Sequence, residues 1–172
     1  VDKDTIQEVG GDVMFLGPDG LRLLSGTERI GDFGLGVVSK TIQKEVTDFI
    51  TANTSFTSVV IRNKSQYRIL GYNRNIGQAN AQGILGTQMA GQGGEGMAWA
   101  DIRGIRAYVA DSRFFQNAEK IVFSNDDGYL YQMEEGNSFD GSNIQTTFAT
   151  PYMPINDPRI RKTFYKMFLY TD

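Results

Sequence analysis

Val13-Met14-Phe15, then Leu16-Gly17-Pro18-Asp19-Gly20, then Leu21-Arg22-Leu23-Leu24: an apolar triplet, a five-residue turn and a second apolar run. The same order returns at Val59-Val60-Ile61, Arg62-Asn63-Lys64-Ser65-Gln66 and Tyr67-Arg68-Ile69-Leu70. It returns again at Ile121-Val122-Phe123, Ser124-Asn125-Asp126-Asp127-Gly128 and Tyr129-Leu130-Tyr131-Gln132. Each stretch reads as a β-hairpin. Asp19-Gly20 and Asp127-Gly128 supply the turn chemistry, because Gly accepts positive φ and Asp bonds nearby backbone. The first two units start 46 residues apart, the length of one four-stranded propeller blade, and the next two start 62 apart. The longer gap holds two further strand candidates, Gly83-Ile84-Leu85-Gly86 and Ile105-Arg106-Ala107-Tyr108-Val109. The expected fold is all-β with one short helix, built as a partial β-propeller of antiparallel blades. A generic sandwich or barrel shares the same strand spacing.

Composition narrows the chemistry. The 172 residues are 40% hydrophobic and 22% charged, a globular balance for one ordinary domain. Absent Cys removes disulfides and thiolates, and absent His removes the commonest general base and transition-metal ligand. No apolar run approaches the roughly 18 residues of a membrane helix. A net charge of −3 argues against a general nucleic-acid binder, whose affinity comes from clustered Lys and Arg. It leaves open a surface past which nucleic acid slides without sticking. Val1 is not an initiator Met and the chain stops in a strand-like run, so the sequence reads as a piece of a longer protein.

One helix is expected, because Val38, Ile42, Val46, Phe49 and Ile50 make an apolar stripe at helical spacing. Ser39 is its candidate cap and Thr51-Ala52-Asn53 its end; the stripe is expected to close a core or cover a sheet edge. Residues 71–96 hold eight Gly and read as long loops between strands.

Four patterns resemble chemical sites. Gly91-Gln92-Gly93-Gly94-Glu95-Gly96 matches G-x-G-x-x-G, but the following Met97-Ala98-Trp99-Ala100 does not open a βαβ unit, so a flexible loop is expected. Asn125, Asp127, Gly128 and Glu134 fall at calcium-loop positions 3, 5, 6 and 12, yet position 1 is Phe123, which offers no oxygen. Asp126, Asp127, Glu134, Glu135 and Asp140 are candidate paired carboxylates of the kind a glycosidase uses. All but Glu134 sit in turn-like contexts. Arg159, Arg161, Lys162 and Lys166 form the one basic cluster, on an expected strand whose alternation puts Arg161, Thr163 and Tyr165 on one face and Lys162, Phe164 and Lys166 on the other. None of these is assigned a catalytic, cofactor-binding or metal role.

The stretch Gly128-Tyr129-Leu130-Tyr131-Gln132-Met133-Glu134-Glu135-Gly136-Asn137-Ser138-Phe139-Asp140-Gly141 resembles a propeller-blade segment of tail and neck proteins from short-tailed bacteriophages. Thr150-Pro151-Tyr152 and Asp157-Pro158-Arg159-Ile160-Arg161-Lys162-Thr163 resemble the exit from that blade, and Asp12 to Arg22 is similar to another blade. The resemblance implies a virion component, such as a tail nozzle, tail hub or packaged-DNA stabilising protein. It implies a homo-oligomeric ring, with portal, adaptor or tail subunits as partners and DNA passing without specific binding. Residues 1–150 would be the partial propeller, and residues 151–172 an exit strand into a following blade or domain. The competing expectations are a propeller that binds or hydrolyses glycans at two carboxylates and stacked aromatics, and a cellular peptide-binding scaffold.

Overall fold

Three antiparallel sheets, each a meander in chain order, carry most of the architecture. The computed structural model describes residues 2–25, 37–89, 96–144, 157, 159–166 and 168. The chain divides into two compact units, Val1–Glu135 and Gly136–Asp172. In the first unit, sheet I holds β1 (Gln7–Val9), β2 (Asp12–Gly17) and β3 (Gly20–Leu23). Sheet II holds β4 (Ser55–Ile61), β5 (Gln66–Tyr72), β6 (Gln82–Met89) and β7 (Gly96–Arg103). Sheet III holds β8 (Val109–Phe115), β9 (Ala118–Ser124) and β10 (Leu130–Gln132). Helix α1 (Gln43–Ala52) follows a 3-10 turn, Lys40–Ile42, between sheets I and II. The described elements are therefore mainly antiparallel β-strands, with the expected short helix present as α1.

Sheet II is covered on both faces, which explains why β5 is buried from Tyr67 through Gly71, Arg68 included, rather than on alternate residues. Tyr67 and Ile69 enter one core with Met14, Leu16, Leu21, Val46, Phe49 and Ile84. Leu70, one position out of phase, enters the other with Val59, Ile61, Ala107, Ile121, Phe123 and Met133. Each such side chain stabilises the fold by about 1.5–3 kcal/mol, so apolar stacking, not ion pairing, holds the sheets together.

The three hairpins all form, but they are not equivalent. The first is β2–β3, the second is β4–β5 and the third is β9–β10, so the first and third lie one strand later in their sheets than the second. The 46-residue interval thus compares different places in the meander. Counted from first strands (Gln7, Ser55, Val109), the intervals are 48 and 54. An apolar triplet before a polar turn marks any hairpin and carries no information on its place in a sheet. The first turn is also shorter than expected: Gly17 pairs with Gly20, leaving only Pro18 and Asp19 between strands. A strand unmarked in the sequence reading, β1, joins β2 through Gly10 and Gly11, both at positive φ, as a two-residue turn of the I′ kind requires.

Residues 71–96 are not long loops throughout. Gln82–Met89 is a strand paired on both edges, and its glycines are there for closeness rather than freedom. A Cβ on Gly83 would lie 2.8 Å from the Ile69 carbonyl oxygen, and one on Gly86 2.6 Å from Met97 Cε. Of Ile105–Val109, only Val109 is in a strand; Ala107 is fully buried in the connection.

Helix α1 buries Val46 and Phe49 against β3 and β6, closing the first core. Ser39 does not cap it. The Ser39 hydroxyl instead accepts the Leu21 backbone N–H at 3.0 Å, tying the helix lead-in to sheet I. Asn53 ends the helix by donating from Nδ2 to the Phe49 carbonyl at 2.9 Å.

In the second unit, Phe139 and Ser142 exchange two 2.8 Å backbone bonds around Asp140 and Gly141, both at positive φ. None of the described residues 159–166 and 168 belongs to a strand, and the rest of the expected exit strand, apart from Asp157, lies outside the described residues. Alternation of aromatics and cations is compatible with a strand but does not supply a pairing partner.

Candidate functional site

The first strands of the three sheets meet. β4 packs against both β1 and β8, and these are the closest strand contacts between sheets among the described residues. β4 is also the edge of sheet II, so carbonyls on its free side need partners from elsewhere. Both neighbours provide them. Gln7 Nε2 donates to the Ser58 carbonyl at 3.1 Å, and Ser112 Oγ donates to the Val60 carbonyl at 2.6 Å. In return, Ser58 Oγ donates to the Asp4 carbonyl at 3.0 Å, and Thr57 Oγ1 accepts the Ala110 N–H at 3.1 Å. Beneath this seam the buried Tyr67 hydroxyl donates to the Thr5 carbonyl at 2.8 Å, and burial pushes the pKa of that phenol upward.

The seam opens as a notch of about 60 Å³ lined by Gln7, Ser58, Val60, Arg62, Asp111 and Ser112. A second cleft, about 80 Å³, lies between α1 and β6–β7 and is lined in part by Glu45, Asp48, Asp101 and Arg103. Both are far below the roughly 300 Å³ at which small-molecule pockets begin. The notch carries charge of both signs, and Asp111 is paired with Arg113 at 3.1 Å.

Two carboxylates clamp sheet III to the β4–β5 hairpin. Glu119, on β9, accepts the Arg62 and Asn63 N–H groups at 2.9 Å each, and Ser112 Oγ at 3.1 Å. These donors hold its pKa below the ordinary value, against the opposing pull of desolvation, which is the largest single influence. Glu134 accepts Arg68 through Oε1 and Lys64, at 2.6 Å, through Oε2. Desolvation again raises its pKa and is again outweighed, here by the two cations, so the net shift is downward.

The residues singled out from sequence scatter. Gly91 to Glu95 lie outside the described residues, and Gly96 opens β7, a strand paired to β6 rather than the helix a dinucleotide fingerprint needs. Asn125 Oδ1 accepts the Asp127 N–H, and Asp127 accepts the Tyr129 N–H and the Tyr131 hydroxyl, so these oxygens close the β9–β10 turn. Glu134 is spent on Lys64 and Arg68, and no group of three acids is placed to hold a metal among the described residues. Glu134 too sits in a turn, with φ 60, unlike the sequence reading. Glu135 pairs with Lys120 at 3.4 Å, while Asp126 pairs with Arg106 at 2.5 Å. Asp140 lies in the second unit at φ 46. There, Arg159 binds Asp157 at 3.1 Å and Lys162 Nζ donates to the Asp157 carbonyl at 2.8 Å, while Arg161 and Lys166 are exposed.

The sequence reading missed Gln7, Ser58, Ser112 and Glu119. Their partners on neighbouring sheets lie 51 to 57 positions away, beyond the reach of any spacing rule. No family model, curated protein or solved structure matches this chain.

Proposed function

We propose that this chain is a structural component of a phage tail or head–tail connector, contributing blades of a β-propeller to a DNA-conducting ring. The observation that carries the reading is the meeting of β1, β4 and β8. In a propeller the first strand of every blade lies nearest the axis and later strands fan outward. Successive four-stranded or three-stranded meanders stacked face to face, with first strands together, have that radial order. Propellers need four to eight blades, so additional sheets complete the ring.

The seam suits a conduit. Its hydroxyl and amide groups are spent on backbone groups, its charges are of both signs, and the chain is acidic overall. Phosphates are retained by clustered unpaired cations, and such a surface offers few. Portal, adaptor or tail subunits are the fitting partners and the virion the fitting location. Electron microscopy of purified particles and of the full-length protein is expected to show a ring. A stable isolated monomer in both would overturn the reading.

A further inference from the structure

The loops at one end of sheets II and III bring tyrosines, carboxylates and one arginine together. Arg106 lies in the β7–β8 connection, its side chain only 17% exposed, with its guanidinium 5.7 Å from the Tyr72 ring centroid. It pairs with Asp126 at 2.5 Å and donates to the Ile76 carbonyl at 3.2 Å. Tyr108 meets Tyr72 edge-on at 5.1 Å. Across Ser124, whose carbonyl accepts the Tyr108 N–H at 2.8 Å, the β9–β10 turn raises Tyr129 beside Tyr131, ring centroids 6.3 Å apart. Tyr108 and Tyr129 are 61% and 68% exposed, so two ring surfaces face solvent next to Asp126 and Asp127.

We propose that this rim binds the flat face of a β-linked saccharide, Tyr108 and Tyr129 stacking on its C–H groups while Asp126 and Asp127 accept its hydroxyls. Aromatic faces carry negative charge and attract the weakly positive C–H edges of a sugar whose hydroxyls are all equatorial. Carboxylates are acceptor-only groups with several lone-pair sites, and Asp126 and Asp127 are held in place by Arg106, Tyr131 and the Tyr129 N–H. Nucleic acid fits poorly, since two carboxylates face its phosphates and the Arg106 guanidinium is already paired. A dry protein interface fits poorly too, because it would bury the Asp127 carboxylate without a cation. A sugar leaves the carboxylates half hydrated and satisfied. This site is separate from the first-strand seam and does not depend on the ring reading.

Titration with cellohexaose and with chitohexaose, followed by ¹H–¹⁵N NMR, tests the proposal. Shifts are expected to centre on the amides of 106–109 and 125–131 for at least one of them. Tyr108→Ala and Tyr129→Ala are each expected to weaken binding by about two- to tenfold, from the usual worth of an aromatic contact. Phe115→Ala, an exposed ring on β8 beside the β8–β9 turn, is expected to leave binding unchanged. Silence with both oligosaccharides overturns the proposal. So do shifts insensitive to the two Tyr substitutions, or preferential binding of oligo-dT at the same amides.

Discussion

Removing the Glu134 carboxylate is expected to loosen sheet III from the β4–β5 hairpin by an amount that can be estimated from its surroundings. Arg68 is 9% exposed, and Glu134 supplies its only anionic partner among the described contacts. Losing one partner of a fully buried pair costs about 3–5 kcal/mol, because the remaining charge is stranded. Two features reduce that. Glu134 is itself 32% exposed, so solvent screens part of the interaction, and Gln66 Oε1 still accepts Arg68 at 2.7 Å. The Lys64 contact adds little, about 0.5 kcal/mol, since Lys64 is 49% exposed. Glu134→Ala should therefore cost about 2 kcal/mol, a fall in Tm of roughly 8 °C for a unit of this size. Replacing both partners, Glu134→Ala with Arg68→Met, should cost less than the sum of the single changes, leaving a coupling of about 1 kcal/mol or more. Thermal unfolding by circular dichroism of the four-member cycle measures this. A Glu134→Ala cost under about 0.5 kcal/mol, or additive single effects, would refute the clamp.

Acid should weaken the same clamps. Glu119 and Glu134 have folded pKa values held below the ordinary 4.5, so they bind fewer protons folded than unfolded. Their stabilisation is present above about pH 4.5 and is lost as pH falls through the lower folded values. Urea denaturation at pH 7 and pH 3.5 should show lower stability in acid, and the loss should shrink in Glu119→Gln; an unchanged difference would contradict the assignment. Gly83→Ala should destabilise by about 1–3 kcal/mol, since its Cβ would meet backbone and Leu70 Cδ2 at 2.9 Å. Gly77→Ala, with open space around it, is the control expected to be neutral or slightly stabilising, and equal effects at both positions in denaturant melts would show that space is not the cause. Tyr67→Phe should cost about 1–2 kcal/mol by leaving the buried Thr5 carbonyl unpaired, and a melt matching the parent would argue against that bond.

The saccharide rim was partly legible in the sequence: Asp126 and Asp127 were two of five candidate carboxylates, and Tyr129 and Tyr131 lie in the hairpin beside them. Arg106, Tyr72 and Tyr108 did not, because they arrive from the β7–β8 connection and the end of β5. Both clamps were invisible for the same reason. Glu119 and Arg62 are 57 positions apart, and Glu134 and Lys64 are 70 apart.

What the sequence determined by itself was local. Apolar runs of strand length, polar turns with Asp and Gly, and one helical stripe depend on neighbours a few positions away, and they placed the three hairpins and α1. Tertiary structure alone decided the phase of those hairpins within their sheets, because every meander contains the same apolar-turn-apolar pattern. Gly83-Ile84-Leu85-Gly86 was legible as a strand and lies within Gln82–Met89, but only tertiary structure explains its glycines: Gly83 is pressed against the Ile69 carbonyl and has no room for a side chain. The stacking that brings β1, β4 and β8 together is written only in contacts across some fifty residues, where packing, not propensity, chooses the partner.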